Sequence, residues 1–214
     1  MSSEMPEGAA VHRWGAPVER AALGIVAVHG RGQDPGFLRE AASFGIDAHV
    51  IAPVAPGKSW YPHPFLQPLE GNRAGLEGAI AAVERCIAEL HQVGLPPERI
   101  ALWGFSQGAC VLSHLLLTRA PSVAGAALWT GGFVGQDPLP APGPSALAGL
   151  RIVLRSISDD PWVPRRRVEE TARALLDAGA EVDLRIDPGT DHIITDEAKA
   201  TTARLFADLA APTT

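Results

Sequence analysis

The segment Gly104-Phe105-Ser106-Gln107-Gly108 constrains this chain more than any other. Ile100-Ala101-Leu102-Trp103 before it is a short apolar run of strand type, and Ser106–Thr118 is apolar nearly all round, as a buried helix is. A strand that turns at once into a helix puts the serine on a sharp, strained bend. Bulky neighbours would collide there, and both flanking positions are glycine. Such a bend lifts the hydroxyl above the sheet edge and aims the positive end of the next helix at it. Ser106 is therefore the candidate nucleophile; the alternative is a serine that only caps the helix.

The rest of the chain supplies a fold for such a bend. Leu23–Val28, His49–Ala52, Gly125–Trp129, Arg151–Ser156 and Val182–Ile186 join Ile100–Trp103 as short runs rich in Val, Ile, Leu and Ala. Runs of this kind suit parallel strands covered on both faces. Between them, Leu76, Ile80, Val83, Ile87 and Leu90 share one face of a helix stopped by Gly94 and Pro96. Pro164–Ala178 and Ile194–Leu209 read as two more helices. The alternation predicts an α/β fold, a mainly parallel sheet with helices on both faces. Its length of 214 residues fits one domain over 1–214, with residues 1–10 flexible.

A serine hydroxyl needs a base. Two histidines follow Ser106. His114 lies more than two turns into the helix that Ser106 opens and reads as a helix-face or core residue, whereas His192 follows the last predicted strand, at the sheet edge where the bend lies. His192 is the candidate base. The acid is expected after the preceding strand, in Ser158-Asp159-Asp160-Pro161-Trp162-Val163-Pro164, and spacing does not separate Asp159 from Asp160. Asp191 and Asp187 are weaker rivals. Negative charge developing on a substrate carbonyl calls for two fixed N–H donors. Gln107, directly after the serine, is one. Arg31, in the glycine-rich loop His29-Gly30-Arg31-Gly32, is the other. That loop lacks the Lys-Ser/Thr of a phosphate-binding loop.

Two irregular stretches follow predicted strands and are candidate pocket walls. One carries Trp60-Tyr61-Pro62-His63-Pro64-Phe65; the other is Gly131–Gly149. Trp60, Tyr61, Phe65, Phe133 and Trp162 are the candidate substrate-lining residues, with ordinary packing as the alternative for each. Pro138, Pro140, Pro142 and Pro144 disfavour a helical lid, so an open site is expected.

These residues together resemble the phospholipase/carboxylesterase family of α/β-hydrolases, which includes bacterial carboxylesterases and acyl-protein thioesterases. The resemblance runs from Ala22 to about Leu209 and rests on His29–Gly32, Gly104–Ala109, Asp160–Pro164 and Gly189–His192. It implies Asp160 as the acid, Arg31 and Gln107 as oxyanion donors, and a serine carboxylesterase forming an acyl-enzyme on Ser106, His192 and Asp160. Its substrates are expected to be short-to-medium acyl esters. Lysophospholipid or thioester cleavage is the alternative on the same residues, and a non-catalytic ligand-binding protein of this fold is a further one. Many members carry His-Gly where this chain has Ser156-Ile157, and often Leu at the position of Arg31. The Arg31 side chain is expected to point into solvent rather than to select acidic substrates.

Composition narrows the partners. Charged residues make up 20% and the net charge is −6, with Arg165-Arg166-Arg167 the one basic run, read as the solvated start of a helix. A nucleic-acid partner is not expected. Cys86 and Cys110 stand in apolar helical contexts and read as core-filling thiols. No metal or organic cofactor is implied, no apolar run approaches a membrane span, and no signal peptide is seen. A cytoplasmic enzyme acting on a small-molecule ester is expected, and a homodimer is one assembly the resemblance allows.

Overall fold

The computed structural model describes residues 10–137 and 143–211. The predicted flexible start and three of the four lid-disfavouring prolines, Pro138, Pro140 and Pro142, lie largely outside the described residues.

The strands are β1 (Val11–Gly15), β2 (Leu23–Val28), β3 (Ala48–Pro53), β4 (Ile100–Phe105), β5 (Gly125–Trp129), β6 (Arg151–Ile157) and β7 (Glu181–Asp187). They form one sheet in the order β1-β3-β2-β4-β5-β6-β7. All neighbours are parallel except β1, which pairs antiparallel with β3. The helices are α1 (Pro35–Ala41), α2 (Leu69–Gln92), α3 (Gln107–Arg119), α4 (Arg165–Asp177) and α5 (Asp196–Ala210).

Side chains alternate across β2 and build two cores. Val26 and Val28 pack with α2, α3 and α4 on one face, while Leu23, Ile25 and Ala27 pack with Leu38 of α1 and Ala198, Leu205 and Phe206 of α5 on the other. This two-sided burial is why the strand reads as an unbroken apolar run. Trp103 and Trp129 meet edge to face in the second core, their ring centroids 5.3 Å apart. Helix α2 ends where Gly94 adopts φ +95°. The Gly94 and Leu95 N–H groups then return to the carbonyls of His91 and Leu90, a hydrogen-bonded stop that glycine makes inexpensive.

Two elements were not expected. β1 is a half-exposed edge strand whose His12 and Arg13 hide the apolar pattern. α1 has only seven residues, too few for periodicity, although Asp34 caps it and Pro35 occupies its first turn. The parallel order brings the carboxyl ends of β2, β4, β6 and β7 to one edge, where the loops after them carry His29–Gly32, Ser106, Asp160 and His192.

Candidate active site

Ser106 occupies φ 53°, ψ −120°, between β4 and α3. Steric room, rather than chain flexibility, demands its glycine neighbours. A Cβ on Gly104 would lie 2.8 Å from the Ala109 nitrogen, and one on Gly108 would overlap the Val28 carbonyl. The Ser106 side chain makes no capping hydrogen bond, so the helix-cap alternative fails. Its N–H is fixed instead to the Trp129 carbonyl of the neighbouring strand, at 2.9 Å.

The Ser106 hydroxyl lies 2.8 Å from His192 Nε2, and His192 Nδ1 lies 2.7 Å from Asp160 Oδ2. A carboxylate only accepts, so Nδ1 carries the proton and Nε2 offers its lone pair to the hydroxyl. The Asp160 side chain is fully buried. Its other oxygen accepts the N–H groups of Trp162 and Val163, at 2.8 and 2.9 Å, which compensates the buried charge. Asp159 faces outward and its carboxylate accepts from Ser158 Oγ, so of the two adjacent carboxylates only Asp160 meets the histidine. Asp187 pairs with Arg185 instead. The two loops are laced together, Asp159 N–H donating to the Gly189 carbonyl at 3.0 Å.

On the opposite side of Ser106 stands the His29–Gln33 turn. His29 Nε2 accepts the Ala55 N–H at 3.2 Å, so its proton sits on Nδ1, which donates to the Gly30 carbonyl at 2.8 Å. The Gln33 N–H reaches the same carbonyl. In a trans peptide the carbonyl and the next N–H point in opposite directions, so holding the Gly30 oxygen also aims the Arg31 N–H. Neither that N–H nor the one of Gln107 has a partner among the described residues.

A cavity of about 490 Å³ opens beside Ser106 and His192. Of the candidate substrate-lining residues, Tyr61, Phe65 and Trp162 border it, along with Arg31 and Gln107. Trp162 is 70% exposed and stands at the mouth. Trp60 and Phe133 do not line it. Trp60 is buried, its indole N–H donating to the His29 carbonyl at 2.7 Å, and Phe133 is buried beneath the Arg167 guanidinium. No described residue of Gly131–Gly149 borders this cavity. Cys110 and Val163 do, although Cys110 reads as core from sequence. Its position one helical turn after Ser106 was the available signal. Burial pushes the Cys110 thiol up to about 11, so it is an uncharged wall.

Two arginines bind backbone carbonyls that the sequence does not announce. The Arg31 side chain is exposed, as expected, and it also donates to the carbonyls of Pro62, Tyr61 and His63 at 3.0, 2.7 and 3.2 Å. Arg167 is buried, unlike the solvated Arg165 and Arg166, and binds the carbonyls of Phe133, Gly135 and Gln136. Both cysteines are free and buried. No helix among the described residues is long and apolar enough to cross a membrane.

A mostly parallel sheet, helices on both faces and a serine on a glycine-flanked strand-to-helix bend define the α/β-hydrolase fold. Residues 20–203 match the family model described as Phospholipase/Carboxylesterase, and the chain belongs to that family. A phospholipase/carboxylesterase from Dyadobacter fermentans is similar at 29% identity, with TM-score 0.86, over 96% of this chain and 100% of that one. A carboxylesterase from Mesorhizobium loti shares the fold at 24% identity and TM-score 0.70, over 88% of this chain and 90% of that one. The Bacillus cereus carboxylesterase does so at 18% and 0.73, over 93% of each chain. A comparison with curated protein sequences finds no match.

Proposed function

We propose that the protein is a serine carboxylesterase that cleaves short-to-medium acyl esters through an acyl-enzyme on Ser106. The observation that carries this reading is the hydrogen-bonded line from the buried Asp160 carboxylate through His192 to the Ser106 hydroxyl, at the edge of an open cavity. Ser106 Oγ attacks the ester carbonyl carbon as His192 Nε2 takes the hydroxyl proton. The tetrahedral adduct collapses, the bond to the alcohol oxygen breaks, and His192 gives that oxygen the proton. Water then repeats the sequence on the acyl-enzyme, His192 acting first as base and then as acid toward Ser106 Oγ, and the carboxylic acid leaves. Asp160 holds the ring in its Nδ1–H tautomer and offsets the imidazolium charge. The Arg31 and Gln107 N–H groups receive the developing oxyanion; losing one such donor costs ~10²–10³ in turnover. The cavity is of ordinary ligand-site size. Its walls of Tyr61, Phe65, Cys110, Trp162 and Val163 suit an apolar acyl chain.

The test is hydrolysis of p-nitrophenyl esters of graded acyl length by the wild type and Ser106→Ala, both also treated with a fluorophosphonate probe. Turnover and labelling in the wild type, both absent from Ser106→Ala, are the expected result. A wild type that neither labels nor turns over any ester defeats the proposal. A thioester and a lysophospholipid in the same panel decide whether either is preferred.

A further inference from the structure

The segment Ser59–His63 forms no helix or strand, so its carbonyls need partners from elsewhere. They find them in the side chains of Arg31, Gln107 and Ser59. The Tyr61 carbonyl accepts from Arg31 Nη2 at 2.7 Å, Gln107 Nε2 at 2.9 Å and Ser59 Oγ at 2.8 Å. Arg31 adds the carbonyls of Pro62 and His63. Gln107 accepts the Trp60 N–H at 2.9 Å with its amide oxygen. Arg31 and Gln107 are also the residues beside Ser106 whose N–H groups lack partners among the described residues.

We propose that the Arg31 and Gln107 side chains are positioning residues, gripping the Ser59–His63 segment from both sides of the oxyanion hole and so holding the two backbone donors at a fixed separation. This rests on the esterase reading above. The grip is strong where it needs to be. Hydrogen bonds from a guanidinium are charge-assisted and stronger than the neutral kind. Gln107 is almost fully buried, and both its amide atoms are engaged. The geometry also argues against a substrate-carboxylate site at Arg31. Both Nη2 hydrogens are occupied by the Tyr61 and His63 carbonyls, so no free pair of parallel donors remains for bidentate binding. Because Tyr61 and Pro62 line the cavity, the acyl wall and the oxyanion donors hang on one shared oxygen. A substrate seated against the wall therefore bears on the same peptide segment that sets the hole.

Arg31→Leu separates this from a purely backbone role. Leucine keeps the N–H and removes the grip. A backbone donor alone predicts unchanged turnover; the clamp predicts kcat lower by tenfold or more at every acyl length, KM nearly unchanged, and the melting temperature largely kept. Affinity for a trifluoromethyl ketone, which mimics the oxyanion, falls by the same factor as kcat. Millimolar guanidinium restores part of the activity of Arg31→Ala. Hydrogen exchange of residues 59–63, read without any substrate, accelerates in both variants and in Gln107→Ala. Wild-type kcat in Arg31→Leu overturns the proposal, as does faster exchange without loss of kcat, which leaves only a loop staple. Loss of kcat with unchanged exchange also overturns it, since the segment is then not the route. Failure of the esterase reading shows itself separately, in a wild type that is inert before any variant is made.

Discussion

The bend that carries Ser106 and the wall that faces it are built on opposite principles. The bend is held by covalent neighbours: glycines at 104 and 108 leave room that no side chain could occupy, and its N–H is fixed to the adjoining strand. The wall at Ser59–Phe65 has no such local necessity. It is held by side chains from distant points of the chain, Arg31 and Gln107 on one side and Asn72 on the other, the last accepting the His63 N–H at 2.8 Å. Chemistry written into a local motif survives changes elsewhere; a wall hung on remote partners can be retuned one partner at a time.

Interrupting the relay behind the bend should have the largest effect. Asp160→Asn keeps the size of the side chain but offers a donor where His192 Nδ1–H needs an acceptor. Turnover should fall about 10⁴-fold for every ester, with KM little changed. A loss confined to some acyl lengths would assign Asp160 to the wall instead. Next comes Gly108→Ala, whose new methyl would press on the Val28 carbonyl. Overpacking of this kind costs about 1–3 kcal/mol, read as a lower denaturant midpoint, and here the displaced atoms are backbone of β2 beside the site. Stability equal to the wild type would show that the bend is less tightly constrained than its geometry says.

A wall substitution should act differently. Cys110 borders the cavity one turn beyond Ser106 and carries no charge. Cys110→Ala, which does not crowd Tyr61, is expected to leave kcat for acetyl esters within about twofold while lowering kcat/KM for the longer acyl chains by up to about tenfold, the factor that ~1.4 kcal/mol of lost fit represents. A uniform loss across the series would mean that the wall and the bend are not separable.

The same contrast decides what was legible in the sequence. The bend, the histidine loop and the Asp160 segment lie in short contiguous stretches whose residue types state their task, and β2 and β5 have the bounds their apolar runs predict. The misreadings concern residues whose roles depend on remote atoms. Trp60 and Phe133 look like pocket aromatics because each follows a strand, yet the His29 carbonyl draws in the indole of one and the Arg167 guanidinium covers the ring of the other. The partners of Arg31 are likewise invisible in the sequence, since its acceptors lie about thirty positions away. The choice between Asp159 and Asp160 had the same character. Neighbouring residues of one type differ only in the direction the folded backbone gives them, and the resemblance, not the spacing, pointed to Asp160.

The smallest expected effect lies at the seam between the two regions, where His29 touches both. Its ring accepts the Ala55 N–H on the wall side, donates to the Gly30 carbonyl on the oxyanion side, and lies 4.9 Å from the Trp60 ring. Burial lowers its pKa below 6.5, outweighing the Gly30 hydrogen bond and the nearby Asp34 charge, which raise it. Between that lowered value and 6.5 the unfolded chain therefore binds a proton that the folded chain does not, so stability is full above pH 6.5 and declines as pH falls through the window. His114, also lowered by burial, adds a contribution of the same sign from the core side of α3. The melting temperature should be flat above pH 6.5 and drop by about 2–4 °C for each kcal/mol lost below it, with a shallower drop in His114→Gln. Protonating His29 removes the acceptor of the Ala55 N–H and leaves the backbone of the bend untouched. Hydrogen exchange on acidification should accordingly quicken at residues 55–61 before it quickens at 104–110, after correction for the intrinsic pH dependence of exchange. Equal acceleration in the two segments would show that wall and bend open as one unit, and that the difference between them is confined to how each is encoded.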